Sequence, residues 1–111
     1  MILPSVAGAE IEAGVRAEIE ALFARLETSH CEFQRNGKAY SASDARAHLL
    51  RKLAYLEAKG TVSSTEQFIE LAASKSSLSG KSYLVLCPST APLLSATWLT
   101  SELHDLRALN K

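Results

Sequence analysis

The segment Cys31-Glu-Phe-Gln-Arg-Asn-Gly-Lys-Ala-Tyr40 combines alternating side chains with a turn signal at its centre. Asn36-Gly37 is the pair that best tolerates positive φ at both central positions of a type I′ turn. Because the alternation continues on both sides of this pair, the segment predicts a β-hairpin over residues 31–40.

A second strand signal lies much later in the chain. Residues 83–87, Tyr-Leu-Val-Leu-Cys, form a continuous apolar run of strand length that Pro88 stops. Such a run is typical of a central strand buried on both faces, and we expect it beside the hairpin. The sequence therefore predicts a small sheet of about three strands.

About four helices are predicted to pack with this sheet, and the fold class is therefore α+β. Apolar residues recur at three- and four-residue steps in these segments. The predicted helices span residues 10–27, 42–59, 64–74 and 96–108.

Helix ends are marked by capping residues. Ser41 with Asp44 suits the start of the second helix, and Gly60 suits the left-handed residue that ends it. Either Ser63 with Glu66 or Ser64 with Gln67 has capping-box spacing for the third helix. Ser95 can cap the last one.

Length and charge limit the class of protein. The 111 residues suit one domain, predicted over residues 10–111, and 12 basic residues balance 12 acidic ones. Proteins that wrap nucleic acid usually carry a basic surplus, so nucleic-acid binding is not expected. No stretch approaches the ~20 apolar residues of a membrane span.

Residues 1–9 are apolar and end in small residues, as a signal peptide does before its cleavage site. We expect a flexible tail or the remainder of a signal-peptide region. The alternative is a frayed N-terminal tail of a cytosolic protein.

The two cysteines, Cys31 and Cys87, admit one internal pairing. Both would lie at strand ends of one small sheet. Two free thiols buried as small hydrophobes are the alternative. The residues alone leave both states open, with the disulfide slightly favoured.

Several segments of the chain together match one known family. They are residues 31–40, Ala45, His48-Leu49, Lys52-Leu53, Thr65–Ile69, Ala72–Gly80, Tyr83–Pro88 and Ser95–Leu99. On these segments, over roughly residues 28 to 106, the chain resembles the YfeK-like family of small exported bacterial proteins. This resemblance implies a secretory signal peptide and a periplasmic address but no activity. Since structural disulfides persist in an oxidising periplasm, the resemblance favours a Cys31–Cys87 bridge.

Polar residues within the matching segments suggest a binding site. If the hairpin, the second helix and the serine-rich loop 74–82 converge, they would line a shallow cleft for an anionic group. The candidate binding residues are Arg35, His48, Lys52, Ser76, Ser77 and Ser79. The alternative is that these residues serve the turn, the helix surface and the backbone of a tight loop.

Catalysis is the weaker hypothesis. Ser76 or Ser77 with His48 and Glu66 could form a nucleophile, base and acid, but no nucleophile-elbow or Ser-x-x-Lys motif frames them. His30, His48 and His104 are too scattered for a metal signature, so we expect neither metal nor cofactor.

The sequence thus predicts a monomeric, non-enzymatic binding or interaction module of the periplasm. Its expected partner is an unknown envelope protein or a small anionic ligand. The alternatives are a small hydrolase or transferase that uses Ser76 or Ser77 with His48, and a purely structural or inhibitory partner of another envelope protein.

Overall fold

The hairpin is part of a four-stranded antiparallel sheet in the computed structural model, which describes residues 11–109. The strands are β1 Glu32–Arg35, β2 Lys38–Tyr40, β3 Leu84–Leu86 and β4 Leu93–Leu94, in the order β2-β1-β3-β4. The helices are α1 Ala13–Thr28, α2 Ala42–Ala58, α3 Thr65–Ala72 and α4 Ser95–Leu109. The predicted α+β class and the four helices are confirmed.

The predicted strand count of about three is one too low. Leu93 and Leu94 form β4, which pairs with β3. Two residues are too few to show a period of two along the chain, so only pairing with β3 identifies them as a strand.

The prediction that β3 is buried on both faces is wrong. Val85 is 1% exposed, whereas Leu84 and Leu86 are half-buried. Since successive side chains alternate between faces, Val85 joins the core and its neighbours lie on the other face of the sheet. Antiparallel sheets commonly have one face packed on the core and one facing solvent.

Turn and cap predictions are largely confirmed. Asn36 and Gly37 have φ of 51° and 81°, as a type I′ turn requires, and Gly60 has φ of 67° after α2. Ser41 Oγ accepts a hydrogen bond from the N–H of Asp44 at 3.1 Å.

The structure also selects between the two possible starts of α3. Ser64 is the N-cap, and its Oγ accepts from the N–H of Gln67 at 3.1 Å. The capping role of Ser95 is wrong, because α4 begins at Ser95 itself and its buried Oγ has no partner among the described residues. Its N–H instead donates to the carbonyl of Tyr83 at 2.9 Å.

The disulfide between Cys31 and Cys87 is confirmed, with Cα atoms 4.1 Å apart. Glu32 pairs with Leu86, so the two cysteines occupy the next opposed positions of the same antiparallel ladder. The bridge therefore joins the residue before β1 to the residue after β3.

The core fills the space between the helices and one face of the sheet. Phe23 of α1 and Phe68 of α3 meet edge to face, with ring centroids 5.8 Å apart. None of the helices described is long and apolar enough to cross a bilayer. The predicted tail, residues 1–9, lies outside the described residues.

Candidate functional site

Helix α2 carries four residues at helical spacing along one groove, which we call the α2 groove: His48, Arg51, Lys52 and Tyr55. The groove has two adjoining compartments that share His48 and Arg51. The first, of about 270 Å³, is also lined by Lys52, Tyr55, Leu56, Leu71 and Ser77. The second, of about 240 Å³, is also lined by Phe33, Arg35, Tyr40, Asp44, Ala45 and Ala47.

The arginines of this groove differ from the other arginines of the described residues in their charge compensation. Four of the six arginines form ion pairs with glutamates at 2.6–2.9 Å: Arg16–Glu57, Arg25–Glu102, Arg46–Glu20 and Arg107–Glu18. Within residues 11–109, Arg35 and Arg51 pair with no carboxylate. Both line the α2 groove, which therefore holds positive charge that the described part of the chain does not neutralise.

Tyr83, just before β3, connects the core to the groove. Its side chain is almost fully buried, and its ring packs against Phe33 with centroids 5.0 Å apart. Its hydroxyl accepts a hydrogen bond from Lys52 Nζ at 3.1 Å and lies 3.2 Å from His48 Nε2. Since the hydroxyl accepts from Lys52, it can donate its proton to a neutral His48. The core thus positions both side chains.

Burial and neighbouring cations keep His48 neutral. Burial, then Arg35, Lys52 and Arg51, lower the pKa of His48 to about 4. Burial and Arg35 also lower the pKa of Lys52, and burial raises the pKa of Tyr83. Arg35, although it lies on β1, therefore acts electrostatically on two residues of α2.

The lowered pKa of His48 predicts a loss of stability in mild acid. The unfolded chain takes up the proton near pH 6.5 and the folded chain only near pH 4, so unfolding binds protons in that window. We expect the free energy of unfolding to fall by about 1–2 kcal/mol from pH 6.5 to 4, after allowance for solvent screening. Urea unfolding at a series of pH values measures this.

His48→Gln is the comparison for that experiment. The variant should lose this share of the pH dependence, and an unchanged slope would contradict the assignment. Glu18, Glu57 and Glu66 have lowered pKa values, because arginines donate hydrogen bonds to them. Their stabilisation is lost as the pH falls below about 4.5, so it overlaps only the acid end of the His48 window, and the slope between pH 6.5 and 5 reports on His48.

The structure brings together part of the predicted binding set. Arg35, His48, Lys52 and Ser77 all line the α2 groove. Ser76 and Ser79 instead bind the hairpin turn. Ser76 Oγ accepts from Asn36 Nδ2 at 3.4 Å, and Ser79 Oγ donates to Asn36 Oδ1. These two serines therefore hold loop 74–82 against the hairpin.

The alternative catalytic set is not joined by hydrogen bonds. Among the described residues, no serine hydroxyl bonds to His48, whose ring contacts Tyr83. Glu66 lies in a separate cluster, where its carboxylate accepts from Arg107 Nη1 at 2.6 Å. Residues 11–109 contain no cluster of three His, Cys, Asp or Glu that could hold a metal ion.

The predicted site lacked Arg51 and Leu71, which line the groove, and Tyr83, whose hydroxyl contacts His48 and Lys52. Arg51 lies three residues after His48, and that helical spacing could have indicated it. Tyr83 was assigned only to a strand, and Leu71 lies outside the stripe of α3 that was expected to face inward. No local pattern places either one beside α2, because this contact depends on packing.

Residues 13–107 match the family of unknown function DUF5329. The chain belongs to this family. An uncharacterised protein, YfeK of Salmonella typhimurium, is 35% identical over 84 residues, which is 75% of this chain and 68% of the relative. The resemblance to YfeK-like proteins is thereby confirmed. No solved structure matches the chain. Neither DUF5329 nor the YfeK relative brings an activity, so the function has to be argued from the α2 groove.

Proposed function

We propose that this DUF5329 protein is a non-enzymatic binding module that takes an anionic group at the α2 groove. One observation carries the proposal. Among the described residues, the two arginines without a carboxylate partner, Arg35 and Arg51, both line this groove beside Lys52. Arginine presents a planar fork of donors that matches carboxylate and phosphate oxygens.

The electrostatics of the groove support the same conclusion. After burial, the positive charge of Arg35 is the next cause that lowers the pKa of both His48 and Lys52. Asp44 also lines the second compartment, but it forms no ion pair with Arg35 or Arg51. A bound anion would relieve the repulsion among these cations.

The proposal also covers the cellular location of the protein. A disulfide suits an oxidising environment, and the YfeK-like resemblance implies export, so we place the protein in the periplasm as a monomer. Its partner there would be a small anion or an envelope protein that presents a carboxylate.

Titration with sodium sulfate at constant ionic strength, followed by amide and imidazole NMR shifts, tests the site. Shift changes should centre on the α2 groove. Arg35→Gln or Arg51→Gln should each weaken sulfate binding about tenfold or more, since a hydrogen bond to a charged group contributes about 1.5–3 kcal/mol.

Arg16→Gln is the matched control. It removes the same charge from an ion pair with Glu57 near the start of α1. Neither residue lines the groove, so sulfate binding should be unchanged. Sulfate binding that is weakened equally by Arg16→Gln and Arg51→Gln would refute the site, and so would shift changes spread over the whole surface. Either result would mean that sulfate responds only to the net charge of the protein.

A further inference from the structure

We infer that the ligand of the α2 groove is a carboxylate joined to a short apolar group, an inference that rests on the proposed function. The first compartment contains both kinds of surface such a ligand needs. Arg51 and Lys52 supply positive charge, while Tyr55, Leu56 and Leu71 supply apolar contact.

Two apolar side chains of the first compartment are exposed to solvent. Tyr55 is 61% exposed and Leu71 is 44% exposed, although single large hydrophobic side chains at the surface of a monomer are usually dispersed. Here the two belong to different helices, α2 and α3, and line the same compartment. Covering them with an apolar ligand group would remove this area from water.

The N–H groups of Lys52 and Arg51 that remain free to donate indicate which kind of anion the groove binds. Lys52 already donates to Tyr83 Oη at 3.1 Å and to the carbonyl of Lys75 at 3.2 Å, so one of its three N–H groups remains. Arg51 forms no ion pair with the described residues. One free guanidinium fork matches the two oxygens of one carboxylate.

The distance between the two surfaces limits the ligand's length. Tyr55 follows Arg51 by four residues, which is about 6 Å along a helix axis. A carboxylate at Arg51 would therefore place a chain of a few carbons against Tyr55 and Leu71. A compartment of about 270 Å³ is at the small end of ligand sites, so it suits a short chain end better than a flat membrane surface.

Both a fatty carboxylate and a peptide C-terminus with an apolar last residue have this chemistry. The test is a titration of the full chain by NMR at pH 7 with acetate, butanoate and hexanoate, and with N-acetyl-leucine as the peptide-like arm. We expect about two- to fourfold tighter binding for each added methylene, below the limit of complete burial. Hexan-1-ol and hexylammonium should bind at least tenfold more weakly than hexanoate.

Leu71→Gln tests the location. It should weaken hexanoate binding about tenfold and leave acetate binding unchanged. Leu94→Gln is the matched control, since Leu94 is 50% exposed on β4 and does not line the groove. It should change neither hexanoate binding nor acetate binding. Circular dichroism of each variant checks that the fold is retained.

The outcomes separate the two proposals. If sulfate and acetate bind at the groove but chain length has no effect, or Leu71→Gln binds hexanoate normally, the carboxylate–apolar ligand is refuted and the anion site stands. If hexanol binds as tightly as hexanoate, the carboxylate–apolar ligand is likewise refuted, and the anion site is decided by sulfate. If no anion binds at the groove, both proposals are refuted. Whether hexanoate or N-acetyl-leucine binds more tightly distinguishes the two sources of ligand.

Discussion

Replacement of both cysteines, Cys31→Ala with Cys87→Ala, is expected to lower the free energy of unfolding by about 4 kcal/mol. The bridge closes a loop with a sequence separation of 56, and its loss frees the unfolded chain to explore many more conformations. A domain of this size has a total stability of only about 5–15 kcal/mol. The variant should therefore unfold at a much lower urea concentration than the oxidised protein.

The wild-type protein supplies the control. Urea unfolding in dithiothreitol should give the same midpoint as the double variant, since both lack the covalent link. A change in the free energy of unfolding below about 1 kcal/mol would contradict the expected role. Titration of thiols in urea without reductant checks the bridge itself, and two reactive thiols in periplasm-purified protein would refute it.

Tyr83→Ala is expected to have the other large effect, a loss of about 3–5 kcal/mol in the free energy of unfolding. Tyr83 is among the largest fully buried side chains, and its removal leaves a cavity beside Phe33. It also leaves Lys52 without the hydroxyl that accepts its hydrogen bond. Urea unfolding of the variant measures the sum of these two effects.

Tyr83→Phe separates them, because it keeps the ring and removes only the hydroxyl. We expect it to cost about 1–2 kcal/mol. Tyr55→Ala is the control for loss of a tyrosine ring. Because Tyr55 is 61% exposed, its loss should change stability by no more than about 0.5 kcal/mol. Equal destabilisation by Tyr83→Ala and Tyr55→Ala would mean that Tyr83 does not support the core.

Local features of the fold could be predicted because they depend on residues close together in the chain. The type I′ turn follows from Asn36-Gly37, and the start of α2 follows from Ser41 and Asp44. The helix ends are accurate to within three residues, the largest difference being the start of α1 at 13 rather than 10. In each case a φ preference or a hydrogen bond over three residues is sufficient.

The candidate site could be predicted only in part, because it depends on contacts between residues that are far apart in the chain. Four members of the candidate set line the α2 groove, whereas Ser76 and Ser79 bind Asn36. The four are Arg35, His48, Lys52 and Ser77. A serine next to a turn looks the same in the sequence whether its hydroxyl faces a ligand or the backbone.

The amino-acid sequence by itself determined the helices, the hairpin and the pair of cysteines that could meet. Only the tertiary structure decided which arginines are neutralised. The pairs that involve Arg16, Arg25, Arg46 and Arg107 join residues 26 to 89 positions apart. No local sequence pattern distinguishes Arg35 and Arg51 from these four arginines. Helix and turn preferences act over a few residues, whereas charge compensation depends on distances that exist only once the helices have packed.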